Sequence, residues 1–304
     1  MKGIHCLHHA AVAASVLLVS SPFLGSTLRA DTCPAEVPFA QPWPGAVVVP
    51  VTLNGMGPYS FLIDTGSSHT AVSSRLAAQL EAPRVAKTQI SSSSGTQWTA
   101  VVALAHVVAG PLAMHDVLAT ELPTNAVVNS QAVDGVLGRD VLEQQPFTID
   151  YRRQLLRWSI DDDEHERVSL PLDLAGPIWL ATLGTGMRLV PDSGATDMVL
   201  FDRGQWRGLR HLPGTVGVET VTSRTTGEPG ELSQLNIGAL RFVNQGVTVL
   251  DGTHVSSAHG DGLLPLHWFD RVTFDIAHSR LVLSRARSGR TLASVLREPG
   301  VQTE

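Results

Sequence analysis

FLIDTGSSHTAV (residues 61–72) and RLVPDSGATDMVL (residues 188–200) carry one pattern twice in the same chain. Each sets Asp-(Thr/Ser)-Gly directly behind an apolar run, as Asp64-Thr65-Gly66 and as Asp192-Ser193-Gly194. One such tripeptide is weak, because Asp and Gly are turn residues in any context. The repetition goes further. VDGVLGRDVL (133–142) answers to GDGLLPLHWF (260–269), with 70 residues from Asp64 to Asp134 and 69 from Asp192 to Asp261. FTIDYRRQLLRWS (147–159) answers to VTFDIAHSRLVLS (272–284), and Gly110 and Gly238 each stand 46 residues beyond their Asp. Landmarks in one order at nearly equal offsets mark an internal duplication. It predicts two similar lobes, at 46–160 and 177–287.

Around these landmarks the chain is written in short runs of Val, Ile, Leu and Thr between Gly, Pro, Asn and Ser clusters. Val48–Leu53, Tyr59–Ile63, Trp98–Val108 and Phe147–Trp158 are examples. That texture predicts an all-β fold, with short helices only within Ala71–Leu80 and Arg139–Gln144. Residues 31–45, with four prolines, read as an extended lead-in; 161–176, charged and then proline-bearing, as a linker; 288–304 as a tail. Residues 1–30 read as a secretory signal peptide. Lys2 precedes an apolar run, Ala10 to Val19, which is too short for a permanent anchor and is broken by Ser20, Ser21 and Pro22. The mature chain is therefore expected to be exported, periplasmic or secreted, with no membrane anchor. Without Lys2 and Arg29, 20 basic residues face 28 acidic ones, a net charge of −8, which disfavours nucleic acid and anionic membranes as partners. Cys6 leaves with the signal, so Cys33 has no cysteine to pair with inside the chain.

Two related lobes packed about a pseudo-twofold axis bring equivalent positions together near that axis. Asp64 and Asp192 are such positions. Two carboxylates a few ångströms apart cannot both ionise cheaply, so they share one proton. The ionised member can then take a proton from water, while the protonated one hydrogen-bonds the carbonyl under attack. Gly66 and Gly194 allow tight turns that aim backbone N–H groups at the carboxylates. Thr65 and Ser193 carry hydroxyls able to bond across the axis, and Ser67 follows in the first loop.

In these motifs the chain resembles the pepsin and retropepsin clan of aspartic proteases, over roughly residues 46–287. Asp64-Thr65-Gly66-Ser67 and Asp192-Ser193-Gly194-Ala195 match the clan's catalytic loop, and Val136-Leu137-Gly138 matches its later apolar-apolar-Gly strand. The resemblance implies two small retropepsin-like β-barrel lobes with a cleft between them, a fused tandem in one polypeptide. It implies Asp64 and Asp192 as the catalytic pair, a protein or peptide as substrate, no cofactor, and a monomer with an intramolecular lobe pair. Two departures stand in the C-terminal lobe. Pro191 precedes Asp192, and Leu263-Leu264-Pro265 replaces the apolar-apolar-Gly element, so the strand beneath Asp192 is expected to be built differently. Flap hairpins are expected at Ile90–Thr99, with Gly95 at the tip, and at Thr222–Glu231, where Gly227 and Gly230 allow a mobile turn. The competing reading is a protease-fold binding module that keeps the groove without the chemistry.

The other polar repeats have plainer readings. Asp134 and Asp261 begin turns, Asp150 and Asp275 end strands, and Asp140 finds His267 in its place in the second lobe. No histidine cluster has metal-ligand spacing. Ser67, Ser68 and His69 lack the Gly-x-Ser-x-Gly turn of a serine hydrolase.

Overall fold

The computed structural model describes residues 35–92, 95–122, 133–160, 167–219, 224–253 and 255–285. The expected signal peptide, Cys33 and the tail at 288–304 lie outside the described residues. The lead-in gives β1 (Glu36–Pro38). The first lobe continues with β2 (Val48–Leu53), β3 (Met56–Ile63), β4 (Ala71–Ser73), helix α1 (Ser74–Gln79), β5 (Arg84–Ser92), β6 (Gly95–Ala109), β7 (Leu112–Leu122), β8 (Gly135–Leu137), helix α2 (Arg139–Leu142), β9 (Phe147–Asp150) and β10 (Leu155–Arg157). The second runs through β11 (Arg167–Asp173), β12 (Leu180–Thr182), β13 (Arg188–Asp192), β14 (Val199–Asp202), β15 (Leu209–His211), β16 (Val216–Glu219), β17 (Arg224–Ile237), β18 (Leu240–Asp251), β19 (Gly262–Pro265), β20 (Arg271–Asp275) and β21 (Arg280–Ser284). Among the described residues no helix is long and apolar enough to cross a membrane.

In the first lobe β2, β3, β8, β4, β7 and β6 pair in that order, and β6 returns to β2 through Thr52 opposite Val108. The ring is a closed six-stranded barrel, which leaves no open edge among its members. The second lobe repeats the order as β12, β13, β19, β14, β18 and β17. Even the strand senses agree. β3 runs parallel to β8 as β13 does to β19, and β4 parallel to β7 as β14 does to β18. The two hairpins at the 46-residue landmarks turn on Gly110 (φ 58°) and Gly238 (φ 56°), backbone that glycine adopts without strain. Gly238 has a second reason to lack a side chain, since a Cβ there would lie 2.3 Å from Val168 of β11.

The lobes share one sheet, ordered β1, β10, β9, β20, β21, β11. At its centre Thr148 lies opposite Thr273, Phe147 opposite Phe274 and Ile149 opposite Val272. Thr148 and Thr273 are equivalent residues of the sequence repeat, so the pseudo-twofold axis passes between them. Their hydroxyls are 2.9 Å apart on one face. On the other face Phe147 and Phe274 stack at 4.7 Å, with the Trp179 ring 4.9 Å from Phe274. One continuous apolar core joins this aromatic group to both lobes.

Some sequence expectations change in detail. Ala71 and Val72 belong to a strand, held by Thr120 and Glu121 of β7. The helix starts only after Ser73, whose hydroxyl accepts the Leu76 N–H at 3.1 Å and caps it. The lead-in is more than an extended arm. Val37, Phe39 and Trp43 are buried, and β1 adds an edge to the shared sheet. In the first flap hairpin Gly95 pairs with Ser92, so the tip falls at residues 93–94, outside the described residues. The second hairpin is corrected to β16 and β17, paired from Val216–Gly227 to Glu219–Arg224, with its tip at 220–223, also outside them. Gly227 and Gly230, which suggested a mobile turn, sit inside extended β17. Their missing side chains let it pass close to Val247 and Val249 of β18.

Candidate active site

Asp64 leaves the end of β3 and Asp192 closes β13, so both loops spring from strands buried in the lobe cores. Their backbones fold back on their own carboxylates. The Gly66 N–H donates to Asp64 Oδ1 at 2.9 Å, and the Gly194 and Ala195 N–H groups donate to Asp192 Oδ1 at 2.7 and 3.1 Å. The glycines also let the loops meet. A Cβ on Gly66 would lie 2.8 Å from the carboxyl carbon of Asp192, and one on Gly194 would lie 3.5 Å from that of Asp64.

Between them runs a reciprocal set of bonds. The Thr65 N–H donates to Ser193 Oγ at 3.1 Å, and the Ser193 N–H to Thr65 Oγ1 at 3.0 Å. Each hydroxyl then donates to the opposite strand, Thr65 to the Pro191 carbonyl at 2.6 Å and Ser193 to the Ile63 carbonyl at 2.7 Å. Thr65 and Ser193 are 0% and 1% exposed, so no water stands ready to replace a lost partner. The same axis that passes between Thr148 and Thr273 passes between these residues. The fold and the paired loops thus share one symmetry.

That environment sets the charge of the pair. Burial, and then the charge of Asp192, push the Asp64 carboxyl up to about 7, against the pull of the Gly66 and Ser67 N–H groups. Burial also raises Asp192, opposed by its bonds from Gly194 and Ala195. A pair in this state holds one proton across mildly acidic to neutral pH. Beneath it, at the end of β9, burial keeps the Tyr151 phenol protonated, and the Asp192 charge adds to the effect.

The two prolines turn out to be accommodated. β19 pairs with β13 in the register of the first lobe, Pro191 opposite Leu264 as Ile63 is opposite Leu137. The expectation of a differently built strand is therefore corrected for the backbone; what differs is the polar network beside it. In the first lobe the Gly138 N–H donates to Thr70 Oγ1 at 3.2 Å, and Thr70 donates through its N–H and its hydroxyl to Asp140. The matching positions in the second lobe are Pro265, Met198 and His267. Proline has no N–H to satisfy, and Met198, fully buried, offers no oxygen to satisfy it. Replacing Gly138 by a proline thus removes the N–H that would have needed the oxygen Met198 lacks. Pro191 keeps the group that the dyad loops use, its carbonyl.

Arg139 escaped the sequence reading. Its N–H donates to the Ser67 carbonyl at 2.9 Å, tying it to the first loop. Its guanidinium reaches the Leu174 carbonyl at 2.6 Å and the Gly176 carbonyl, and lies over the Trp179 ring. The signal available was Arg beside an acidic residue after Gly138, which says nothing of a partner 35 residues away. Among the described residues no group of three or more His, Cys, Asp or Glu is arranged to hold a metal.

Residues 49–141 match the model of a protein family described as aspartyl protease. The matched stretch runs from β2 into α2 and contains both the Asp64 loop and Val136-Leu137-Gly138. The match supports an assignment to the pepsin and retropepsin clan. No curated protein matches it in a sequence search. The match stops short of the second lobe, whose kinship to the first rests on the repeated strand order and on the bonds between Thr65 and Ser193.

Proposed function

We propose that the chain is an aspartic endopeptidase that hydrolyses peptide bonds in proteins or peptides with water activated by Asp64 and Asp192. The observation that carries the reading is the reciprocal Thr65–Ser193 bonding. It fixes two carboxylate loops face to face, as a shared-proton mechanism needs. The ionised carboxylate accepts a proton from water as its oxygen bonds to the scissile carbonyl carbon. The protonated carboxyl donates to the carbonyl oxygen, and a tetrahedral gem-diol forms. Collapse of that intermediate passes a proton to the departing amine nitrogen and restores the singly protonated pair. The protein acts as a monomer, its two lobes in one chain, and is exported to the periplasm or the medium after loss of residues 1–30.

The test compares the wild type with Asp64→Asn and Asp192→Asn on an unfolded protein substrate from acid to neutral pH. Each substitution is expected to lower kcat by about a hundredfold or more. Undiminished activity in Asp192→Asn would overturn the two-carboxylate reading. A folded wild type that binds peptide and never cleaves it would make the chain a binding module.

A further inference from the structure

The second lobe lacks the carboxylate that pins the first. Asp140 takes the Thr70 N–H on both of its oxygens, at 2.9 and 3.0 Å, and so anchors the chain just beyond the Asp64 loop. In the second lobe that place is held by His267, on the 3-10 turn Leu266–Trp268 that follows β19. The imidazole is wedged between two segments. On one side is the lead-in turn at Gly45, where a Cβ would lie 2.6 Å from His267 Nδ1 and 3.2 Å from the Ala195 carbonyl oxygen. On the other is the catalytic loop itself, whose Ala195 N–H donates to Asp192 Oδ1 at 3.1 Å. Nδ1 is shut off from solvent and makes no well-aligned hydrogen bond. Gly45 has a φ of 86° and no space for a side chain, so the turn can close down on the ring only as glycine. Neighbouring Trp43 and Ala46 are buried and fix the turn in place.

We propose that His267 is a positioning residue for the C-terminal catalytic loop. Its neutral imidazole braces Ala195, and through it the N–H groups that hold Asp192; protonation undoes the brace on the acid side of the pH range. The physical reason is steric and polar together. A neutral ring can leave Nδ1 bare against Gly45, whereas an imidazolium must put a second N–H there, and for the nearby Ala195 carbonyl to accept it the ring or the loop must shift. The titratable groups facing the ring are few. The catalytic loop carries Asp192 and Asp197, the latter drawing the ring towards its charged form; the turn from Pro42 to Ala46 and the ring's own turn, Leu266–Trp268, carry no other. Burial outweighs Asp197 and the Ala195 carbonyl, and pulls the imidazole below the ordinary histidine range.

The proposal rests on the endopeptidase reading for its kinetic arm only. His267→Gln keeps an amide of similar reach that does not titrate, and His267→Leu keeps bulk alone. In His267→Gln the ratio of kcat/KM at about pH 4.5 to that at about pH 7 is expected to rise at least about threefold over the wild type, the change residing in kcat. His267→Leu should show the flattened profile at a lower kcat. Superimposable wild-type and His267→Gln profiles would overturn the proposal. A second arm uses the wild type alone and needs no activity: the His267 imidazole and the Gly194 and Ala195 amides are followed by NMR against pH. The imidazole is expected to titrate with a midpoint below 6.5, the unperturbed histidine value, and the two amides to show a step at that midpoint besides the one they share with the carboxylate pair. A midpoint at or above that value, or loop amides that ignore it, would overturn it. A wild type that cleaves nothing defeats the endopeptidase reading and leaves this arm to judge His267.

Discussion

Asp64 and Asp192 are ordinary residues placed where one proton must serve both. The pH dependence of activity follows from that. The proton most easily lost leaves near pH 7, where burial and the neighbouring charge have put Asp64. On the proposed mechanism the competent state is singly protonated, so activity is expected below that value and is expected to be lost as pH rises through it. We expect kcat/KM to fall about tenfold per pH unit above the midpoint; a profile flat to pH 9 would contradict the shared proton. Ser193 allows a separate test. Ser193→Ala removes the acceptor of the Thr65 N–H and the donor to the Ile63 carbonyl in a fully buried place. Leaving such groups unpaired costs about 1–3 kcal/mol. Chemical denaturation should show that loss, and kcat should drop along with it, because the same bonds hold the two carboxylates in register. These residues were legible in the sequence because the chemistry needs Asp, a hydroxyl and Gly in immediate succession, twice.

Elements were legible where a pattern is local. The strand texture and the hairpins on Gly110 and Gly238 leave short-range marks, whereas the sequence ran the first helix back over Ala71 and Val72, which are strand. Pro191 and Pro265 misled because a proline's cost depends on whether its missing N–H has a partner waiting. Met198 in place of Thr70 removes that partner, and only the register of β13 with β19 reveals it. The flap glycines misled for a similar reason: Gly227 and Gly230 make room for a neighbouring strand, which sequence does not show. Asp275, read as a strand end, is the anchor of the turn joining β20 to β21. Burial raises its carboxyl, yet hydrogen bonds from Arg280 and His278 outweigh that and hold it below the usual range. A depressed carboxyl stabilises the fold above its unfolded value of 3.8 and loses that contribution as pH falls through its folded value. Asp275→Asn should therefore unfold a few degrees below the wild type at neutral pH. The gap should narrow as pH drops below about 4; a gap that widens on acidification would refute the assignment.

At the scale of the molecule, one axis organises everything. It passes between Thr148 and Thr273 in the shared sheet and between Thr65 and Ser193 at the cleft, so the sheet is the foundation on which the paired loops are aligned. The duplication was visible in the offsets, but the seam was not, since no local pattern tells β9 to pair with β20. The symmetry is also incomplete in an instructive way. The first barrel closes through β2 and β6, whereas β12, only three residues long, pairs with β11 instead.

Each half also keeps its own strands in the shared sheet: β1, β10 and β9 precede residue 161, while β20, β21 and β11 follow residue 166, β11 taking up residues 167–173 of what the sequence suggested was linker. Among the described residues no strand is exchanged across the seam. The connecting segment therefore acts as a tether that sets the local concentration of one half around the other. Such a chain has the outline of a two-subunit assembly carried in one polypeptide, whose two copies differ where one holds Asp140 and the other His267.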